Sequence, residues 1–258
     1  MEEKATILFP VFPDLRLSPA SGPSFPPPRQ SSAMETIAVI DFETTGMSPA
    51  QGARATEIAA VLVEDGRVVG RFQSLMNSGA WVPPFIEHLT GISNAMLQAA
   101  PPAREVMHEL LQFTRGCPLV AHNAAFDRGF WAAEAASAGA EPDPCHLFAC
   151  TLLLSRRLYP QAPNHRLGTL ARLHQLTDHG RAHRALADAL TTAQLLLRLQ
   201  ADVAERFAGT LAGRPVDHAL LCQLQRAPRA QLEKRLAAEV RSAVGASTAL
   251  AGNAGLQR

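Results

Sequence analysis

The sequence predicts an α/β domain around a mixed five-stranded sheet, and three observations carry that expectation. Two β-branched runs are joined by a hairpin dipeptide. Further short apolar runs alternate with stretches of helical periodicity. Hydrophobic residues make up 47% of 258, enough chain to bury a sizeable core. Charge bounds the class of molecule: 24 Lys plus Arg against 23 Asp plus Glu leave a net +1. That balance excludes a polybasic protein that holds nucleic acid by bulk electrostatics. Residues 34–200 carry 13 Arg and 15 acids, so this segment would meet a polyanion only with metal ions supplying positive charge.

The elements follow in order. Residues 1–33 hold seven of the 19 prolines and no sustained period, which suits a flexible Pro-rich leader; equally, Met34 could be the natural start. Thr36–Phe42 reads as a buried strand, and Thr56–Glu64 and Val68–Leu75 pair through the Asp65-Gly66 turn. Pro83-Pro84 stops extended pairing. Ala103–Thr114 has apolar residues at helical spacing, Pro118–Ala121 is a short strand, and Ala124–Ala138 a helix. Leu147–Cys150 supplies the fifth strand, and Leu167–Leu173 and Ala185–Leu199 two more helices. Residues 201–258 are expected to be a helical extension, interrupted by Gly213, Pro215 and Pro228, with a frayed end from Ala243. No run of 18 apolar residues exists, so no membrane span is expected. Pro10 and Pro13 cut the only N-terminal apolar run, and the four cysteines form no CxxC pair. A soluble cytoplasmic protein with free thiols is the expectation.

Three blocks carry chemistry. Asp41 and Glu43 are two residues apart at the end of the first strand, so both carboxylates share a face and repel unless a cation lies between them. The Thr44-Thr45-Gly46 turn follows, where backbone can approach a ligand closely. The second block is His122-Asn123-Ala124-Ala125-Phe126-Asp127, with Asn123 placed to cap a helix through its side chain and Asp127 one turn further on. The third, His183-Arg184-Ala185-Leu186-Ala187-Asp188, puts His and Asp about 140° apart on one helix; a shared site therefore needs His183 in the preceding loop. Taken singly, each block also reads as an ordinary strand end, a capped helix or a surface acid.

Together, Asp-x-Glu-Thr-Thr-Gly, Asn-x-x-Phe-Asp and His-x-x-x-x-Asp, in that order, resemble the DnaQ-like, histidine-type branch of the DEDD exonuclease superfamily, which includes the proofreading epsilon subunit of bacterial DNA polymerase III. The resemblance spans about residues 35–200. The tyrosine-type branch is excluded, because the one tyrosine, Tyr159, is followed four residues later by Pro163. Glu87-His88-Leu89-Thr90-Gly91-Ile92 resembles the family's Thr-Gly-Ile segment beside the terminal nucleotide.

The resemblance implies a ribonuclease H-like fold over residues 34–200 and a 3′→5′ exonuclease that releases nucleoside 5′-monophosphates. It implies Asp41, Glu43, Asp127 and Asp188 as ligands of two divalent cations, Mg²⁺ or Mn²⁺, which hard oxygen donors suit. His183 would take the proton of the attacking water, a task suited to an imidazole. Thr44, Thr45 and Gly46 would hold the terminal nucleotide through backbone contacts, and Met47, His88, Ile92 and Phe126 would pack near the bases; Ile92 and Phe126 read equally as core. Glu57 takes a structural reading. The implied partners are nucleic acid 3′ ends, single-stranded or frayed DNA foremost, and a DNA polymerase, with no membrane. A short-RNA exoribonuclease and a non-catalytic binding module are the alternatives. Gln194 to Leu199 matches a loose clamp-binding peptide but lies in the strongest helix. Arg226, Arg229, Lys234, Arg235 and Arg241 read as a solvated face before a phosphate-binding one.

Overall fold

A computed structural model of the chain describes residues 35–241; the leader, Met34 and the expected frayed end lie outside them. Strands β1 (Ile37–Thr44), β2 (Ala55–Glu64) and β3 (Arg67–Leu75) form an antiparallel meander, with β2 and β3 joined through Asp65-Gly66. The short strands β4 (Leu119–Ala121) and β5 (Phe148–Cys150) run parallel to β1, giving the order β3-β2-β1-β4-β5. The mixed five-stranded sheet expected from the sequence is thus present, and helices flank it.

The period of two along β1 sorts its side chains between two cores. Ile37 and Val39, with Val61 and Val63 of β2, pack under the long helix α7 (Ala185–Arg206). Ala38, Ile40 and Phe42 face the other way, toward α3 (Ala103–Phe113) and α4 (Ala124–Ala138). Asp41 and Glu43 continue the α7-facing parity, and so does Glu57 of β2, the register partner of Glu43. Two apolar layers therefore deliver three acids to one end of one face.

Two short helices that periodicity did not predict follow β3. α1 (Pro84–Thr90) has Pro84 at its first position, where the missing N–H costs nothing, and α2 (Asn94–Gln98) is capped by the Ser93 hydroxyl. Residues Thr151–Leu158 form α5, and Leu167–Leu173 form α6 as expected. Helix α7 runs through residue 200, so the boundary expected at 200/201 falls inside it. The extension beyond it, α8 (Ala208–Leu211), α9 (His218–Leu224) and helical residues 232–241, buries Leu220, Leu221, Leu224, Leu232 and Leu236 in the same core as β1 and α7. Leu195, Leu196 and Leu199 are fully buried there, which leaves the clamp-like motif no extended form. Arg226, Arg229, Lys234, Arg235 and Arg241 are all exposed. Among the described residues, no helix is long and apolar enough to cross a membrane, and all four cysteines are free.

Candidate active site

The four expected acids come from three elements and meet at one place. Asp41 and Glu43 arrive on β1. Asp127 reaches β1 from the first turn of α4: β4 pairs with β1 only at Ala38 and Val39, and beyond that ladder Asp127 Oδ1 accepts the main-chain N–H of Phe42 at 3.2 Å. Asp188 sits in the first turn of α7 and accepts the N–H of His183 at 2.9 Å. His183 lies in the loop before the helix with a left-handed backbone, φ 61°. A His183 ring nitrogen and carboxylate oxygens of Glu43 and Asp188 all lie within 4.8 Å of one another.

Electrostatics record the convergence. Asp41 is held well above the usual carboxylate range by burial and then by the charges of Asp127, Asp188 and Glu43. Burial, with Asp188, Glu57 and Asp127, pushes Glu43 up to about 8, against the pull of Arg184. Burial pushes Asp127 up to about 7, although the Phe42 amide favours its charged form. Asp188 is raised by burial despite the bond from His183. Such a group needs positive charge to ionise at neutral pH. The arginine that acts on Glu43, Arg184, is already engaged by Glu57. Hard carboxylate oxygens with no nearby thiolate are the donor set that divalent magnesium or manganese suits.

The remaining expected residues divide. Thr44 Oγ1 donates to the carbonyl of Gly46, closing the turn. Thr45 has its N–H bonded to the Arg54 carbonyl and its hydroxyl accepting from the Arg54 N–H, so it shapes the loop and has no amide to offer a ligand. A Cβ on Gly46 would stand 3.3 Å from that of Ala53, which explains the glycine by close approach. Met47 is 78% exposed and His88 is exposed on α1, both open to a ligand. Phe126 is partly buried against Phe130, ring centroids 4.9 Å apart. Ile92 is fully buried with Val82 and Leu97, which favours the core reading over base contact in this conformation. Asn123 corrects the expectation of a side-chain cap: it occupies the N-cap position of α4 with φ 67° and makes no cap bond. Its role is to turn the chain from β4 into α4, since asparagine tolerates the left-handed region.

Glu57, given only a structural reading from the sequence, and Glu134, not singled out there, both stand beside the site. Both carboxylates are 1% exposed. Glu57 binds Arg184, and Glu134 binds Arg54 through two guanidinium nitrogens at 2.9 and 2.8 Å. Arg181 in the His183 loop donates to the carbonyls of His88 and Leu89 at the end of α1. A Cβ on Gly91, itself left-handed at φ 75°, would meet that guanidinium at 2.6 Å. The signal available for each was an arginine directly before an element start, too common a feature to single out.

The exonuclease family RNase_T matches residues 38–196. The chain belongs to that family, in its DEDD, histidine-type branch, and the five-stranded ribonuclease H-like sheet is the fold its members share. It is 39% identical over 165 residues to the 3′-5′ exonuclease DinG of Bacillus subtilis, covering 64% of this chain and 18% of that protein. It is 39% identical over 176 residues to the PolC-type DNA polymerase III of Bacillus cereus, covering 67% of this chain and 12% of the polymerase. The chain thus spans less than a fifth of either relative. Exonuclease X, solved with 5′ overhanging duplex DNA, superposes with a TM-score of 0.51 and 28% identity over 64% of this chain and 90% of its own.

Proposed function

We propose that this chain is a metal-dependent 3′→5′ exonuclease that hydrolyses DNA from its 3′ end. What carries the reading is the meeting of four acids from β1, α4 and α7, two of them buried and two half-buried, with the His183 imidazole. Asp41, Glu43, Asp127 and Asp188 would hold two divalent cations. When bound, those ions supply charge neutralisation at the scissile phosphate and lower the pKa of water. His183 accepts a proton from the attacking water, the water oxygen joins phosphorus, and the bond from phosphorus to the 3′ oxygen breaks. The leaving 3′ oxygen takes up a proton, so the products are a nucleoside 5′-monophosphate and a strand one residue shorter. Met47 and His88 present exposed faces to the terminal nucleotide, and the Thr44-Thr45-Gly46 turn bounds its pocket. We place catalysis in residues 34–200, with the extension completing the core, in the cytoplasm. The PolC-type relative supports a role beside a DNA polymerase, in replication or repair.

The test is release of mononucleotides by the full chain from 5′-labelled single-stranded, recessed and mismatched DNA and RNA oligomers with Mg²⁺, Mn²⁺ or chelator. Stepwise shortening from the 3′ end, lost in chelator and in Asp41→Ala, is expected. Equal activity in Asp41→Ala would reduce the chain to a binding module. Faster cleavage of RNA would favour the short-RNA reading, since sugar choice turns on how the pocket treats the 2′-hydroxyl.

The spacing of Glu43, His183 and Asp188 also permits a second arrangement, in which His183 is itself a ligand. Calorimetric titration of His183→Ala with Mn²⁺ separates the two. Retained binding with lost turnover is the outcome the first reading requires.

A further inference from the structure

Glu57 faces the acid cluster from β2, opposite Glu43, and yet has no oxygen left for a cation. One carboxylate oxygen accepts from Gln73 Nε2 at 2.7 Å and Arg184 Nη2 at 2.8 Å. The other accepts from Arg184 Nε and from the main-chain N–H of Ala185, both at 3.1 Å. A carboxylate offers about four acceptor directions, and here all are taken. Burial pushes Glu57 up, but the bonds from Arg184, Gln73 and Ala185 outweigh it and favour the charged form. Arg184 and Ala185 are where the His183 loop turns into α7, so the grip falls one residue from the imidazole.

The same device recurs across the site. Arg54 and Ala55 are where the Thr45 loop turns into β2, and Glu134 accepts from the Arg54 guanidinium twice and from the Ala55 N–H at 2.9 Å. Each of the two site-forming loops therefore ends in Arg-Ala, and each Arg-Ala is gripped by one buried carboxylate. An ion pair between a buried carboxylate and a half-exposed arginine is a weak source of net stability, but its bidentate geometry fixes direction. Direction is what His183 needs, because a left-handed backbone is disfavoured for any residue with a Cβ and persists only where its surroundings impose it.

We infer that Glu57, through Arg184 and Ala185, is the positioning residue for His183, and that Glu134 does the same for the Thr45 loop through Arg54. The inference rests on the reading of His183 as proton acceptor. Its test is a double-mutant cycle in turnover, with the full chain, Mn²⁺ and a DNA oligomer. Glu57→Gln lowers kcat on the order of 10- to 100-fold, the scale of a misplaced catalytic group, with KM and Mn²⁺ affinity unchanged. Glu57→Gln combined with His183→Ala is no slower than His183→Ala alone, because the latch acts only through the imidazole. Glu134→Gln, which acts on the other loop, multiplies the loss of His183→Ala. If Glu57→Gln does not fold, Arg184→Lys, which keeps the charge and gives up the fork, enters the same cycle. Losses of Glu57→Gln and His183→Ala that multiply would overturn the positioning role while leaving the proton acceptor in place. Wild-type turnover in His183→Ala would remove the acceptor reading and the latch with it.

Discussion

His122 shows how burial, above other causes, can fix a side chain's charge. One ring nitrogen is bonded to Thr151 Oγ1 and the other to the carbonyl of His165, both at 2.9 Å, which suits a neutral imidazole that accepts on one side and donates on the other. Burial pushes it down to about 4, well below an ordinary histidine. A depressed folded value means its stabilisation is whole above about pH 6.5 and lost as pH falls through 4, because the unfolded chain takes the proton first. At 1.36 kcal/mol per unit that is about 3 kcal/mol. Urea unfolding of wild type and His122→Gln at pH 7 and 4.5 should show the wild type losing about 2 kcal/mol more; equal losses would refute the assignment. The acids of the site have the opposite sign, since burial raises them.

At the scale of elements, the turn at Asn123 decides where Asp127 stands. With φ 67° and no cap bond, Asn123 serves by backbone tolerance. Asn123→Gly should leave stability within about 0.5 kcal/mol, while Asn123→Ala should cost about 1 kcal/mol, measured by urea unfolding. A larger loss in the glycine variant would restore a role for the amide side chain. The contrast also explains what was legible in the sequence. Position along the chain foretold that Asn123 begins a helix, but side-chain type alone does not say whether the cap is made by the side chain or the backbone. Strands β1 to β3 were legible as β-branched runs with a hairpin dipeptide between the second and third, and helices α3, α4, α6 and α7 because their apolar residues recur at helical spacing. Helices α1 and α2 were not: they are short, seven and five residues, they follow the Pro83-Pro84 stop, and their caps, proline and serine, are common in loops. The acids were legible through the three ordered motifs that together resemble the exonuclease family, since each block alone also reads as structural. Their supporting carboxylates were not, because Glu57 and Glu134 take meaning only from arginines 127 and 80 residues away.

For the whole molecule, stability, charge and metal are one equilibrium. Glu43 and Asp127 have folded values near 8 and 7, above their unfolded ones, so the metal-free chain is most stable below about pH 4 as far as these groups go, and loses that stability as pH rises through 8. Cations that bind the charged cluster reverse the trend. Thermal unfolding in chelator should show the melting temperature falling by about 5–10 °C between pH 6 and 8.5, a few kcal/mol at roughly 2–4 °C each. Mn²⁺ should restore it, with the larger gain at the higher pH. A gain independent of pH would mean the acids are not the binding groups.

The distribution of the site along the chain has one more effect. Its first acid is residue 41 and its last is residue 188, and the layer that seats α7 is closed by leucines as far on as 236. A nascent chain that ends before residue 188 therefore holds three of the four acids and no helix α7 to complete their cluster. The cluster closes only after Asp188 and the leucines behind α7 have left the ribosome.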